Sequence, residues 1–260
     1  MNAITASLFF FLGAVFGSFA NVLIYRMPKK IPFAKERSAC TSCGHTLGFV
    51  DLVPILSYVI LRGKCRHCGA GFSAMYPLVE ALVALLFLSV YLRFGFCDSV
   101  FVAFFSFVLV VVAIVDFYTQ EIYDSLVALL FGCGFLWVVL GHFFPDVFLS
   151  APNWHSSLIG FFVGGLPLLI INRLCVLFLK KEGFGFGDVK LMFAVGIFLG
   201  WQLVILVFFI AFVSGGFVSG IGLLAGRVRR WDYIAFGPFL AFGTMMALFF
   251  GTHILGLYTK

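Results

Sequence analysis

The sequence predicts an all-α fold: a polytopic bundle of about eight transmembrane helices with one small polar loop close to the amino terminus. Of its 260 residues, 63% are hydrophobic and only 11% are charged, and the mean hydropathy is +1.14. Soluble domains are about 45–50% apolar and about 25% charged, so this composition excludes a soluble globular enzyme. The apolar runs are long and do not alternate with polar residues, which also excludes a transmembrane β-barrel.

Stretches without charged residues mark the individual helices. One crossing needs about 20 apolar residues, and the charge-free run from Leu191 to Gly226 exceeds that length. A break at Gly200-Trp201-Gln202 therefore divides this run into two helices. The second span contains a single acid, Glu80, near its start. In chain order, the predicted spans cover residues 5–25, 76–94, 100–121, 125–143, 156–179, 189–200, 202–225 and 235–253.

The first span is predicted to stay in the membrane rather than to be cleaved as a signal peptide. Its apolar stretch is too long for a signal peptide, no basic residue precedes it, and Arg26, Lys29 and Lys30 follow it. The positive-inside rule keeps those charges in the cytoplasm, which places the amino terminus outside. With eight spans, 15 of the 17 basic residues then fall on the cytoplasmic side, the exceptions being Arg93 and Lys260.

This orientation also explains the formal net charge of +6. Basic residues on the cytoplasmic side fix the topology and attract the anionic lipid of the inner leaflet. Nucleic acid binding is therefore not needed to explain the charge.

The polar loop, residues 26–75, carries two Cys-x-x-Cys pairs, Cys40 with Cys43 and Cys65 with Cys68. Two such pairs separated by about 20 residues are typical of a tetrahedral zinc site with four thiolate ligands. Four cysteines leave no open coordination position, so the predicted zinc ion is structural rather than catalytic.

Two alternatives for these cysteines are a pair of disulfides and a redox-active motif. The predicted cytoplasmic location disfavours disulfides, and a redox motif would not normally occur twice in one short loop. His45 and His67 could each replace a cysteine ligand, but with four cysteines present we interpret both as loop surface. The remaining cysteines lie in or beside spans and are interpreted as buried apolar residues: Cys97, Cys133 and Cys175.

Two aspartates lie in or beside apolar spans, where a charge is costly and indicates a functional site. Asp116 ends the third span, and Asp188 follows a turn containing Gly183, Gly185 and Gly187 at the start of the sixth. The predicted topology puts both near the cytoplasmic face. Two carboxylates in contact cannot both ionise at low cost, so one holds a proton while the other is charged. Such a pair can activate water against a peptide carbonyl, which suggests an intramembrane acid–base enzyme.

Simpler explanations exist for the acidic residues. Asp188 could cap the sixth helix, and Glu121 and Asp124 are interpreted as solvated acids in the turn after the third span. A proton- or ion-coupled transporter would also keep carboxylates within the membrane. A carrier seldom needs a zinc site in its first loop, which favours the enzyme.

A series of short motifs extends along nearly the whole chain. They are Gly17-Ser18-Phe19-Ala20-Asn21-Val22, Arg26 with Pro28, the two cysteine pairs, Tyr76-Pro77-Leu78-Val79-Glu80, Asp116 with Asp124, residues 181–190, and Phe236-Gly237-Pro238. In this order the motifs resemble those of bacterial type IV prepilin peptidases, intramembrane aspartic proteases of the Gly-x-Gly-Asp class. Thr41 and Tyr123 stand where family members commonly have proline, and neither position touches the chemistry.

The resemblance implies that Asp116 and Asp188 are the catalytic pair and that the four cysteines of the loop bind structural zinc. It implies an enzyme of the bacterial inner membrane that removes the basic leader from prepilins or type II secretion pseudopilins at the cytoplasmic face. It further implies N-methylation of the new amino-terminal residue with S-adenosylmethionine as methyl donor. A peptidase that has lost methylation is the alternative.

The methyl-donor site cannot be located from a glycine-rich nucleotide motif, and we expect it in the cysteine-bearing loop near the second span. Glu80 is a candidate for binding the substrate's new amine, or else an ordinary acid near a helix amino terminus. Gly185, Gly187 and Lys190 are candidates for substrate binding or for structural support of the site.

The predicted organisation has three parts. Residues 1–25 form the first helix, residues 26–75 the zinc-binding loop with the methyltransferase region, and residues 76–260 a seven-helix peptidase core in the membrane. Gly13-x-x-x-Gly17 and Gly216-x-x-x-Gly220 fit close helix packing. The same spacing would permit a homodimer, although it does not establish one.

Overall fold

The computed structural model describes residues 2–32, 38–180, 183–226 and 234–258. Apart from two isolated β-bridges, the regular elements in this part of the chain are helical. The Cα packing divides the chain into two compact units, Met1–Phe94 and Gly95–Lys260. They are called the amino-terminal unit and the carboxy-terminal unit below.

The amino-terminal unit consists of two long helices joined by the cysteine-bearing loop. Its helices are α1 (Ala3–Arg26), the short α2 (Leu56–Ile60) and α3 (Met75–Arg93), with one 3-10 turn at Phe49–Leu52.

Glycines bring α1 into direct contact with α3. A Cβ atom added to Gly13 would lie 2.8 Å from the Cα of Ala84, and one added to Gly17 would lie 2.6 Å from the Cα of Glu80. The first glycine pair therefore packs two helices closely, as its spacing predicts. Because of this contact, α3 belongs to the same unit as α1. The sequence instead predicted α3 at the start of the peptidase core, residues 76–260.

The carboxy-terminal unit contains the remaining helices. They are α4 (Phe96–Thr119), α5 (Asp124–Phe143), α6 (Trp154–Leu179), α7 (Phe186–Leu199), α8 (Trp201–Leu224) and α9 (Gly237–Tyr258). The second glycine pair lies in α8, where a Cβ atom on Gly216 or Gly220 would meet nothing within 4 Å in the described chain. Within the described chain, this second pair therefore packs against no other helix.

Each of the eight predicted spans coincides with one helix, so the predicted all-α, polytopic fold is confirmed. Among the described residues, seven helices are long and apolar enough to cross a membrane. The eighth, α7, has 14 residues and is shorter than the roughly 20 that one crossing needs.

The short helix α7 lies inside the carboxy-terminal unit. Ten of its 14 residues are buried, and it packs against α5, α6, α8 and α9. This explains why its sequence is apolar on every side. It ends at Gly200, whose φ of +78° favours glycine, and α8 begins at the next residue, so the predicted break is confirmed.

Glycines also set the distance between α6 and α7. A Cβ atom on Gly160 would collide with the carbonyl oxygen of Gly196, and one on Gly164 would collide with that of Met192. Beyond this contact, the rings of Phe105 and Phe198 stack with centroids 3.7 Å apart. Close packing on several sides thus fixes α7, the helix that begins with the second predicted catalytic aspartate.

Some residues used in the sequence argument lie outside the described part of the chain. These are Lys181 and Glu182 of the glycine-rich motif, and the basic residues Lys35, Arg37, Arg227, Arg229, Arg230 and Lys260.

Candidate metal centre and candidate active site

The four cysteines of the loop converge on one point. All four sulfur atoms lie within 4.8 Å of one another, and the Sγ atoms of Cys40 and Cys68 are 3.8 Å apart. Tetrahedral zinc with bonds of about 2.3 Å places its sulfur ligands about 3.8 Å apart. The cluster therefore has the ligand set and the spacing of a four-cysteine zinc site.

The two cysteine pairs sit in two turns with the same backbone hydrogen bonds. The N–H of Gly44 donates to the carbonyl of Cys40, and the N–H of Gly69 donates to that of Cys65. Both glycines have positive φ, +70° and +73°, a conformation that residues with a Cβ rarely adopt. The local sequence alone thus shapes each turn to present its sulfurs to a common centre.

Two of the thiols, Cys40 and Cys68, differ in their affinity for protons. The backbone N–H groups of Cys43 and Ser42 lower the pKa of the Cys40 thiol to about 6. The N–H of Ala70 lowers the pKa of Cys68, but burial and the neighbouring thiols outweigh it and raise that pKa to about 11. Since zinc binds thiolates, Cys40 is better prepared for a cation than Cys68.

The two histidines of the loop lie at the surface, as predicted. His45 and His67 are exposed, and their rings meet edge to face with centroids 4.3 Å apart. Neither belongs to the cysteine cluster. Of the other cysteines, Cys133 is buried, whereas Cys97 and Cys175 are half-buried.

Asp116 lies in the last turn of α4 with its side chain only 4% exposed. The N–H of Gly237, the first residue of α9, donates to its Oδ2 with an N···O distance of 2.9 Å. A Cβ atom at position 237 would lie 2.6 Å from that oxygen, so the contact requires glycine. The motif Phe236-Gly237-Pro238 thus supplies a backbone donor to the first aspartate.

Asp188 lies in the first turn of α7 and is 7% exposed. The N–H of Gly185, the residue that caps this helix, donates to its carboxylate. The cap of α7 is Gly185 and Asp188 is the third residue of the helix, so Asp188 is not the N-cap that the simpler explanation assumed. Its other oxygen, Oδ1, is buried with no hydrogen-bond partner in the described chain. No described protein group therefore engages this oxygen.

The carboxy-terminal unit brings the two aspartates together. Asp116 and Asp188 are close enough for their charges to interact. The turn after α4 touches the first turn of α7, since a Cβ atom on Gly187 would lie 2.8 Å from the Cβ of Ile122. Gly187 is thus needed for a close approach between elements, as the sequence suggested. Two buried carboxylates whose charges interact cannot both ionise at low cost.

Two polar residues hold the glycine-rich turn from outside. Asn172 of α6 accepts hydrogen bonds on its Oδ1 from the N–H groups of Gly183 and Phe184, at 3.0 and 3.4 Å. Lys190 pairs with the exposed Asp124, with its Nζ 2.6 Å from an Oδ1. Sequence reasoning missed Asn172, because no local motif shows that an asparagine in an apolar helix contacts a turn eleven residues later.

Glu80 belongs to the amino-terminal unit and is 9% exposed. Its Oε2 accepts a hydrogen bond from the N–H of Ile55 at 2.7 Å, and its carboxylate also interacts with the Ser18 hydroxyl. It therefore joins α3 to α1 and to the loop, a more specific role than that of an acid near a helix start.

Two protein-family models match this chain. One, described as the bacterial peptidase A24 N-terminal domain, matches residues 11–94. The other, described as the type IV leader peptidase family, matches residues 103–220. The gap between the two matches contains the boundary between the two structural units.

Several curated relatives carry the name prepilin leader peptidase/N-methyltransferase. The protein of Burkholderia pseudomallei (strain 1026b) is 35% identical over 267 residues, which cover 93% of this chain and 84% of the relative. That of Bacillus subtilis (strain 168) is 31% identical over 258 residues, 98% of both chains. That of Pseudomonas aeruginosa is 31% identical, covering 96% of this chain and 91% of the relative. No solved structure matches the chain.

Proposed function

The chain belongs to the type IV leader peptidase family, and from that membership we propose that it is an aspartic endopeptidase of the bacterial inner membrane. It removes the basic leader from prepilins or pseudopilins and then N-methylates the new amino-terminal residue. The observation that carries the peptidase activity is the pair of buried carboxylates, Asp116 and Asp188, in one unit.

Hydrolysis uses the two carboxylates in different protonation states, because two like charges in a buried site are costly. The charged carboxylate accepts a proton from water while the water oxygen attacks the scissile carbonyl carbon. The protonated carboxyl donates a hydrogen bond to the carbonyl oxygen as that oxygen becomes negative. Collapse of the tetrahedral intermediate breaks the C–N bond, and the leaving amine takes up a proton.

Backbone donors keep both aspartates in position for this reaction. Gly237 donates to Asp116, and Gly185 donates to Asp188. A carboxylate fixed in this way needs little reorganisation when charge develops in the transition state. Gly187 and Lys190 support the same turn through their contacts with the segment between α4 and α5.

A prepilin-type substrate combines a basic leader with an apolar helix, and both parts fit the proposed orientation. We place the amino terminus of the enzyme outside, and the cysteine loop and both aspartates at the cytoplasmic side. Counted with all eight helices as crossings, the short α7 included, this orientation puts 15 of the 17 basic residues in the cytoplasm. The substrate helix then lies in the membrane while its leader reaches the aspartates from the cytoplasm.

The four cysteines of the loop bind one zinc ion, which stabilises the loop. Four sulfur ligands complete a tetrahedral shell and leave no position for a substrate. The second activity uses S-adenosylmethionine, which supplies a methyl group bonded to a positively charged sulfur. Of the two glycine pairs that fit a homodimer, Gly13 and Gly17 already pack against α3, so we place no dimer interface there.

The peptidase proposal is tested in membranes that contain the full chain and a prepilin-type substrate. Asp116→Asn and Asp188→Asn should each reduce leader removal by at least about 10³-fold, because neither amide can carry the proton of the pair. Asp146→Asn changes an exposed acid in the loop between α5 and α6 and should leave cleavage unchanged. Normal cleavage by either of the first two variants would contradict the assignment.

The same membranes test the methyl transfer. With a labelled methyl donor, the cleaved wild-type product should acquire the label at its amino terminus. Cleaved product without any label would show that this chain is a peptidase alone.

A further inference from the structure

The amino-terminal unit contains a cavity of about 860 Å³ between its two long helices and the cysteine-bearing loop. Ligand sites of small molecules and cofactors measure about 300–1,000 Å³. Three tyrosines, Tyr25, Tyr58 and Tyr76, contribute to the wall. Its charged residues are two acids and three bases: Glu80, Asp51, Arg26, Lys64 and Arg66. Aromatic rings and one carboxylate are the groups that attract an organic cation.

Glu80 is a buried carboxylate without a cationic partner in the described chain. Its two protein contacts are the Ile55 N–H, 2.7 Å from Oε2, and the Ser18 hydroxyl. The other acid of the cavity wall, Asp51, is already paired with Arg66 at 3.0 Å. Neutral donors orient the charge of Glu80 without cancelling it, and a buried charge is costly unless it is paired.

The donor to Glu80 is held in a strained backbone turn. Ile55 has φ +63° and ψ −52°, and the N–H of Leu56 donates to the carbonyl of Pro54 at 2.6 Å. These values describe a γ-turn of the rare form with positive φ, here at a β-branched residue. Such strain costs about 1–3 kcal/mol and is concentrated at functional sites. In this cavity the strained turn directs an N–H group at Glu80.

We propose that this cavity is the methyl-transfer site and that the Glu80 carboxylate binds an organic onium cation there. The proposal rests on the methyltransferase activity proposed above. Two sources supply an onium group in that reaction: the sulfonium of the methyl donor and the α-ammonium of the cleaved substrate. A carboxylate can bind either cation, and Glu80 is the carboxylate in this cavity wall whose charge is not already paired.

The chemistry of transfer balances around such a carboxylate. The substrate ammonium first passes one proton to Glu80 or to water and becomes a neutral amine. Its nitrogen then forms a bond to the methyl carbon while the S–C bond breaks and its electron pair stays on sulfur. The products are a methylated ammonium and a neutral thioether, so the positive charge moves from sulfur to nitrogen beside the carboxylate.

The test uses Glu80→Gln in the zinc-loaded, full-length protein, with Glu121→Gln, an exposed acid of the other unit, as control. Binding of S-adenosylmethionine and of its neutral product S-adenosylhomocysteine is measured first, without turnover. If Glu80 binds the sulfonium, Glu80→Gln should reduce the affinity for S-adenosylmethionine by at least about tenfold. Its affinity for S-adenosylhomocysteine should fall by less than about threefold. If it binds the ammonium, both affinities should persist while methylation is lost and cleavage continues.

Three outcomes would overturn the proposal. One is wild-type donor binding together with wild-type methylation in Glu80→Gln. The second is an equal loss of affinity for both ligands, since removing the charge of Glu80 should weaken only the binding of the cation. If Glu80→Gln loses its zinc and fails to fold, Ser18→Ala keeps the carboxylate and removes only its hydroxyl donor. In Ser18→Ala, the loss of affinity for the positively charged ligand should exceed the loss for the neutral ligand by about threefold. Wild-type behaviour of Ser18→Ala would be the third contrary result. A wild-type protein that does not methylate at all would instead refute the activity on which the inference rests.

Discussion

The two units differ in how they keep polar groups inside an apolar protein. In the carboxy-terminal unit the aspartates lie at the ends of α4 and α7; the N–H of the distant Gly237 donates to Asp116, and that of the adjacent Gly185 donates to Asp188. In the amino-terminal unit four cysteine sulfurs converge on one centre in a loop with little regular structure. Helix packing fixes the first site, whereas the second has the ligand set of a metal site.

This difference suggests a division of work. Peptide hydrolysis needs two carboxylates held within about 0.5 Å of their productive positions, which packed helices supply. Methyl transfer needs a cavity large enough for a nucleoside-sized donor, which a loop folded over two helices supplies. The boundary between the units should therefore also separate the two activities in variants.

Gly237→Ala should have the largest effect, and it should affect the carboxy-terminal unit alone. The added methyl group would lie 2.6 Å from Oδ2 of Asp116 and would displace the carboxylate. A shift of about 1 Å in a catalytic group costs about 10²-fold, so leader removal should fall by at least that factor. Cleavage assays report the loss, and zinc content should stay normal.

Gly216→Ala is the matched control for that variant. It makes the same substitution in a helix of the same unit, where the new methyl group meets nothing within 4 Å among the described residues. Equal losses in the two alanine variants would show that crowding at Asp116 is not the cause.

The double variant Cys40→Ser, Cys43→Ser should affect the amino-terminal unit. Removing two of four ligands abolishes tight zinc binding, which supplies most of the folding free energy in small zinc-bound loops. Zinc per chain should fall from one to near zero, and limited proteolysis should cut within the loop. Cys97→Ser, outside the cluster, should keep both the metal and the protease resistance.

Zinc should be released as the pH falls, and the pKa of Cys40 gives the direction of this dependence. Cys40 has a pKa of about 6 against an ordinary value of 9.0, so the folded loop favours its thiolate. That contribution is complete above about pH 9 and is lost as the pH falls through about 6. Zinc measured with a chelating dye should therefore stay bound at pH 7.5 and be released below about pH 6. Release that is independent of pH would contradict thiolate ligation.

Lys190→Ala should have the smallest effect. It removes the ion pair with Asp124, whose side chain is 74% exposed, and such pairs contribute less than about 1 kcal/mol. Leader removal should change by less than about fivefold, and thermal unfolding should show little change. A loss of 10²-fold or more would give Lys190 a direct role in binding substrate.

Local features of both units could be predicted from the sequence. The break at Gly200 follows from helix length and a glycine, and the zinc turns follow from residues within each turn. Contacts between distant segments could not be predicted in this way. The donor to Asp116 is Gly237, 121 residues further along the chain, and the donor to Glu80 is Ile55, 25 residues before it. Both are backbone groups, whose identity as donors depends on the fold and not on a residue type.

The same limit applies to the glycine pairs. Two pairs have the same spacing, yet within the described chain only the pair at Gly13 and Gly17 contacts another helix. A close helix contact of the carboxy-terminal unit instead uses Gly160 and Gly196, which belong to different helices. The spacing of glycines within one helix identifies a face with small side chains. Which helix packs against that face depends on the tertiary fold.

The most direct test of the division between the units is the intact mass of a prepilin-type substrate after reaction in membranes containing Asp188→Asn or Glu80→Gln. Wild-type membranes should yield a product without its leader and heavier by one methyl group. Asp188→Asn should leave the leader in place, and Glu80→Gln should give a cleaved product without the methyl group. Leader removal by Asp188→Asn would contradict the account, and so would full methylation by Glu80→Gln at a donor concentration that only half-saturates the wild type.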